Sequence, residues 1–137
     1  MPDESDIYTA VGGDAPFFEL VDAFYRGVDT DPLLRTLYPD DLGPGKLHLA
    51  WFLIQRFGGP ELFNQRRGAP RLRMRHASFP ITIAMRDAWM HHMLNAIENV
   101  PVFAPHKDVM REYFEHSATF LINREGPDRG TVRLESL

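Results

Sequence analysis

Gln65-Arg66-Arg67-Gly68-Ala69-Pro70-Arg71-Leu72-Arg73-Met74-Arg75-His76 is an arginine-studded run ending on a single histidine, and thirteen positions later Trp89 stands inside Arg86-Asp87-Ala88-Trp89-Met90. A neutral imidazole can offer a lone pair to a metal, and guanidinium groups grip carboxylates through a planar fork. Followed by a tryptophan on an apolar helix, this combination suits a flat, apolar, dianionic ligand. For each arginine taken singly, a solvated basic patch is the competing reading.

Outward from this stretch the chain is helical in its periodicity. On the N-terminal side, Asp14 is placed to cap and Pro16 to occupy a first turn. Phe17, Leu20, Val21, Phe24, Tyr25 and Val28 fall at helical spacing, which predicts a helix over 15–29. Asp31-Pro32 repeats the cap-then-proline signal for a short helical turn, closed by Tyr38-Pro39 because the residue before proline disfavours the helical region. After a corner at Asp40-Asp41-Leu42-Gly43-Pro44-Gly45, a helix is expected over about 44–57, with Leu49, Phe52 and Leu53 on one side and Lys46, Gln55 and Arg56 for the other. Gly58-Gly59 stops it.

Pro60, Gly68 and Pro70 then break residues 60–76 into a short helix, a loop and a second short helix carrying His76. On the C-terminal side, Phe79-Pro80 interrupts again before a helix over 82–99. There Trp89, Met93, Ala96, Ile97 and Val100 keep to one face, and Pro101 closes it. A last helix is expected over about 105–123, with Met110, Tyr113, Phe114, Ser117 and Leu121 inward. The class is all-α: one domain over 1–123, followed by a breaker-rich tail over 124–137 expected to be flexible.

Composition narrows the chemistry. A length of 137 residues suits one core. An apolar fraction of 44% without any run near the roughly 18 residues needed to span a bilayer predicts a soluble chain with no membrane role. The acidic start Met1-Pro2-Asp3-Glu4-Ser5-Asp6 does not read as a secretory signal, so the cytoplasm is the expected compartment. The absence of cysteine excludes disulfides, thiolate nucleophiles and iron–sulfur clusters. A net charge of −4 argues against nucleic acid, although the local arginines can still hold a small anion.

Histidines occur at 48, 76, 91, 92, 106 and 116, and none forms the His-Glu-x-x-His pattern of a zinc hydrolase. His91 and His92 are sequence neighbours and point apart on a helix, so packing or solvated roles suit them better than a shared metal. His76 is the exception by context. A haem-ligating imidazole needs one nitrogen free for iron, the other held by a carbonyl or carboxylate, and propionate partners nearby; Arg67, Arg71, Arg73 and Arg75 are in excess for the last. Leu49, Phe52 and Leu53 offer an apolar wall, though ordinary core packing accounts for such a stripe equally. Tyr25, Tyr38 and Trp89 carry polar tips on apolar bodies, and such tips normally find a hydrogen-bond partner when buried.

Val11-Gly12-Gly13, Phe24-Tyr25, Tyr38-Pro39, Gly58-Gly59-Pro60, Arg67-Gly68, the Pro70 to His76 run and Arg86-Asp87-Ala88-Trp89 together make the chain resemble the group II truncated haemoglobins, from about Tyr8 to Asn123. The resemblance implies a truncated globin, a two-over-two helical sandwich holding one haem b per chain. By the same resemblance His76 is the proximal iron ligand, and Tyr25, Tyr38 and Trp89 are donors in the distal pocket. It further implies haem contacts for Leu49, Phe52, Leu72, Phe79 and Ile81, and propionate contacts for Arg67 and Arg75. The chain departs from the family at three places: Gly45 falls where many globins have a distal histidine, Phe63 where relatives often have tyrosine, and Phe57 where many have tryptophan. These touch the propionate network and the gate of the pocket.

The implied function is a haem protein that binds O₂, NO, CO or peroxide and supports oxygen, nitric oxide or peroxide redox chemistry. In enzyme terms this is nitric oxide dioxygenase or peroxidase-like turnover served by an external reductase. Two hydrogen bonds from the distal donors would retain oxygen tightly, which favours turnover over delivery. An oxygen-binding, storage or sensing module without turnover is the alternative, and a helical interaction protein without cofactor is a further one. Either a monomer or a homodimer is compatible with the sequence.

Overall fold

The computed structural model describes residues 6–124, so the expected tail lies outside the described residues except for Arg124. All regular structure among them is helical: α1 (Ile7–Ala10), α2 (Ala15–Asp29), α3 (Pro32–Arg35), α4 (Gly43–Arg56), α5 (Leu62–Arg67), α6 (Leu72–His76), α7 (Ile83–Glu98), a 3₁₀ turn (Pro101–His106) and α8 (Lys107–Phe120). The expected inward face of α2, from Phe17 to Val28, is buried in full. Because α2 packs against both α4 and α7, and α7 also packs against α8, the pairs α2–α4 and α7–α8 form a two-over-two helical sandwich. None of the described helices is long and apolar enough to cross a membrane.

Aromatic rings hold the layers together. Phe17 meets Phe103 edge-on at 5.3 Å and stacks on Phe57 and Tyr8, each at 6.2 Å. Phe57 and Trp89 both reach Phe114, at 6.0 and 5.6 Å. Phe17, Phe57 and Phe103 are wholly buried, and each such ring contributes about 1.5–3 kcal/mol by leaving water. Phe57 therefore belongs to the inter-helix core.

The caps were only partly foreseen. Asp31 does cap α3, accepting from the Leu33 and Leu34 amides at 2.9 and 3.4 Å, and it also pairs with His92 on α7 at 2.6 Å. That hydrogen bond, foremost, holds the Asp31 carboxyl below its usual range. Asp14, expected to cap α2, does not: its own backbone is helical (φ −68°, ψ −42°), and its carboxylate accepts instead from the Tyr8 hydroxyl at 2.7 Å, tying α1 to α2. Thr82 caps α7 by accepting from the Met85 amide at 3.2 Å, a role the sequence reading did not assign.

Three boundaries also shift. α3 ends at Arg35, well before Tyr38-Pro39, because the Arg35 guanidinium takes the carbonyls of Tyr38, Pro39 and Asp40 and so satisfies the corner without more helix. The last helix begins at Lys107 and ends at Phe120. Pro101 and Pro105 lack the N–H a regular ladder needs, and the tighter 3₁₀ turn precedes it.

Candidate functional site

Between these helices lies a cavity of about 440 Å³, lined by His76, Tyr25, Tyr38, Trp89, Leu49, Phe52, Arg67, Leu72, Arg75, Phe79 and Ile81, whereas Arg71 and Arg73, which the sequence also offered as propionate partners, do not line it. Helices and connecting segments from most of the chain supply the lining. The physical cause is amphipathicity: the apolar faces of α2, α4, α7 and α8 converge on one space, while the short α5 and α6 bring polar groups to its edge.

His76 ends α6, where its Nδ1 lies 2.7 Å from the Leu72 carbonyl oxygen. A carbonyl can only accept, so Nδ1 carries a proton, and in the neutral ring Nε2 keeps its lone pair. The segment after His76 is clasped from a distance by Asn123. The Asn123 side-chain oxygen accepts from the Ile81 amide at 2.9 Å, and its Nδ2 donates to the Phe79 and His76 carbonyls at 2.9 and 3.3 Å. The Asn123 amide also donates to the Ile81 carbonyl at 2.9 Å. No local pattern announces Asn123 as part of the site, because its partners are more than forty positions away.

Three polar tips share the apolar interior. Tyr25 and Tyr38 meet edge to face at 5.6 Å, and Phe24 lies between Tyr25 and Trp89 at 5.4 and 5.1 Å. Burial pushes the Tyr25 hydroxyl up to about 12. The Tyr38 hydroxyl is raised further by burial and by the nearby Tyr25, while hydrogen bonding from the Trp89 indole pulls the other way. Both phenols therefore stay protonated at any ordinary pH and remain able to donate. The Tyr25 hydroxyl also explains Gly45, since a Cβ at position 45 would come within 2.8 Å of it.

At the edge, Arg67 and Arg75 stand by the Phe63 ring, 5.9 and 5.2 Å from its centroid. Phe63 thus offers both guanidinium groups a π face. Arg75 is fixed by its Nε on the Pro70 carbonyl at 2.6 Å and its Nη2 on the carbonyls of Arg67 and Ala69 at 2.8 and 3.1 Å. His48, to which the sequence reading gave no part in the site, lines the cavity with its Nε2 3.5 Å from Arg67 Nη1. Burial first, then the charges of Arg67 and Arg75, hold it below the usual histidine range. Arg86 is likewise a lining residue that the pattern did not assign, anchored to Asp87 and to the Thr119 hydroxyl, both at 2.7 Å.

This donor set selects among ligands. No group of three or more His, Cys, Asp or Glu that could hold a bare ion occurs among the described residues. A lone imidazole with one nitrogen available fits a metal that brings its remaining ligands in a macrocycle, and the apolar walls fit the faces of that macrocycle. Arg67 and Arg75 fit its carboxylates. The residues present thus suit haem.

Residues 6–123 match the model of the bacterial-like globin family. The chain is 35% identical over 125 residues to the group 2 truncated hemoglobin YjbI of Bacillus subtilis, covering 90% of this chain and 94% of that protein. Among solved structures, the hemoglobin of the thermophilic phototroph Chloroflexus aurantiacus is 51% identical, with a TM-score of 0.84 over 90% of this chain and 100% of that one. A truncated oxygen-avid haemoglobin from Bacillus subtilis is 35% identical, with a TM-score of 0.81 over 85% and 98% of the two chains.

Proposed function

Since this chain belongs to the bacterial-like globin family, among its group 2 truncated haemoglobins, we propose that it holds one haem b and uses it to bind dioxygen and related diatomic ligands in support of redox turnover. The observation that carries this reading is His76: its Nδ1 is tied to the Leu72 carbonyl, and Nε2 remains available at an apolar cavity that also contains three protonated donors. His76 would be the proximal iron ligand, with Arg67 and Arg75 at the propionates and Leu49, Phe52, Leu72, Phe79 and Ile81 against the porphyrin. A haem there supplies an iron that takes O₂, NO, CO or peroxide and exchanges single electrons.

The chain's own residues set how long a ligand stays. The Trp89 indole N–H can only donate, whereas the Tyr25 and Tyr38 hydroxyls donate or relay a proton. A donor bond to a ligand that gains negative charge has charge-assisted strength, roughly 1.5–3 kcal/mol, which slows release by about one to two powers of ten. Retention of that kind serves oxygen-dependent chemistry on nitric oxide or peroxide better than delivery, and such chemistry needs an external reductase. The oxygen-avid character of the Bacillus subtilis relative supports retention.

The test pairs two variants. Haemin titration of the wild type should give one haem per chain with a histidine-ligated spectrum, and His76→Ala should lose that signature and regain it with added imidazole. In Trp89→Phe, oxygen dissociation should accelerate about tenfold or more. An unchanged rate removes Trp89 from the mechanism, and a colourless wild-type protein removes haem altogether.

A further inference from the structure

From Leu62 to Arg86 the chain has six arginines and not one carboxylate, although 19 Asp and Glu occur overall. The remainder of the protein therefore carries nine of its 15 Lys and Arg against all 19 acidic residues. The structure brings two of these arginines together at Phe120, whose ring Arg73 overlies and which lines a surface pocket with Arg71. The ion pairs among the described residues engage Arg35, Lys46, Arg86, His92, Lys107 and Arg111, and leave Arg66, Arg71 and Arg73 without a carboxylate. The proposed function uses Arg67 and Arg75 at the cavity and has no task for these three.

Their setting is that of a contact surface. Arg66, Arg71 and Arg73 are exposed. Arg71 is the one described non-glycine residue at positive φ (41°), a strained conformation that opens α6. Arg73 lies over the Phe120 ring at 5.0 Å and Arg66 over the Trp51 ring at 5.4 Å. Beside them Met74 is 62% and Phe120 56% exposed, so apolar surface is interleaved with unpaired cation. Methionine, aromatic and arginine side chains are the types enriched at protein interfaces.

We infer that this face docks a small acidic electron-carrier protein, the donor that the proposed haem chemistry requires; the inference rests on that reading. Charge decides the partner class. Nineteen carboxylates on the rest of the chain repel an extended polyanion, whereas a compact acidic protein touches only the cationic face. Position decides the role. Arg73 and Met74 share the five-residue helix α6 with His76, so a partner seated on them lies within about one helical turn of the proposed iron ligand. One electron passes from the partner's reduced cofactor to a ferric iron, which becomes ferrous; no bond forms or breaks and no proton moves. Electrostatic steering with modest apolar contact gives the fast, short-lived encounter that electron transfer needs.

The probe is a flavodoxin, an acidic one-electron carrier, used with the full chain. Amide shifts on adding it should centre on residues 66–76 and 120. Haem reduction by its hydroquinone should fall steeply with salt. Arg71→Glu with Arg73→Glu should lower the second-order rate about tenfold or more at low ionic strength, converging with wild type at high salt, while Lys107→Glu should change it less than twofold. The inference is overturned by a salt-independent rate, by an unaffected double variant, or by shifts centred elsewhere. Binding of a DNA duplex or anionic vesicles to this face at physiological salt, where flavodoxin does not bind, overturns it as well. The shift-mapping arm needs no haem, so it separates failure of the docking from failure of the haem reading.

Discussion

Replacing Asn123 by alanine isolates the contact that holds the His76 segment in place. The substitution removes three hydrogen bonds: one accepted from the Ile81 amide at 2.9 Å and two donated to the Phe79 and His76 carbonyls at 2.9 and 3.3 Å. The orientation of the side-chain amide is unambiguous, because its oxygen faces an N–H and its nitrogen faces two carbonyls. At about 0.5–1.5 kcal/mol each the bonds total roughly 1.5–4.5 kcal/mol. Asn123 is only half-buried and Phe79 is exposed, so water replaces part of what is lost, and about 2 kcal/mol is the expected net effect. If that energy opposes opening of the loop from His76 to Ile81, the open population rises about 30-fold. Native-state hydrogen exchange reads this directly at the Ile81 amide, which loses its acceptor, and haemin dissociation reads it at His76. Exchange at Ile81 within threefold of wild type, with unchanged haemin loss, would show that helix packing alone fixes the segment.

Gly45→Ala puts a methyl group 2.8 Å from the Tyr25 hydroxyl and must push the phenol aside. The expected result is oxygen release accelerated by about tenfold, with little change in a Gly45→Ala, Tyr25→Phe double variant relative to Tyr25→Phe alone. His48 has a folded-state pKa depressed by burial and by Arg67 and Arg75. The unfolded chain therefore binds a proton before the folded one does, and stability falls as pH drops below the ordinary histidine value of about 6.5. Urea unfolding from pH 7.5 to 5 should show a smaller decline in His48→Gln than in wild type, and parallel curves would exclude His48 as a source of the slope.

Much of the architecture was legible because helices declare themselves locally. The inner face of α2 and its span over 15–29 follow from apolar residues spaced three and four apart, and Asp31-Pro32 marks α3 by a cap and a fixed φ. Asp14 failed as a cap for the same local reason: a residue with the right side chain cannot cap when its own backbone has already entered the helix. The cavity-lining residues of the arginine run and the Trp89 segment were recognisable from motif and spacing. Their convergence on one cavity could be expected from the resemblance, but it is displayed only by the packed helices.

The rest depends on contacts between residues far apart in sequence. Asn123 reaches back to Ile81, Asp31 meets His92 and Arg86 meets Thr119, at separations of 42, 61 and 33 positions. His48 becomes a rim residue only because α5 and α6 bring Arg67 and Arg75 against it. Hydrophobic periodicity, proline and glycine were enough to specify which segments coil and which face each one buries, since those choices are settled within a turn or two of chain. The clasp on the His76 segment, the space Gly45 leaves for a phenol and the unpaired cationic face arise from the relative placement of whole helices. Directional hydrogen bonds and Coulombic pairings act between groups that no local pattern brings together.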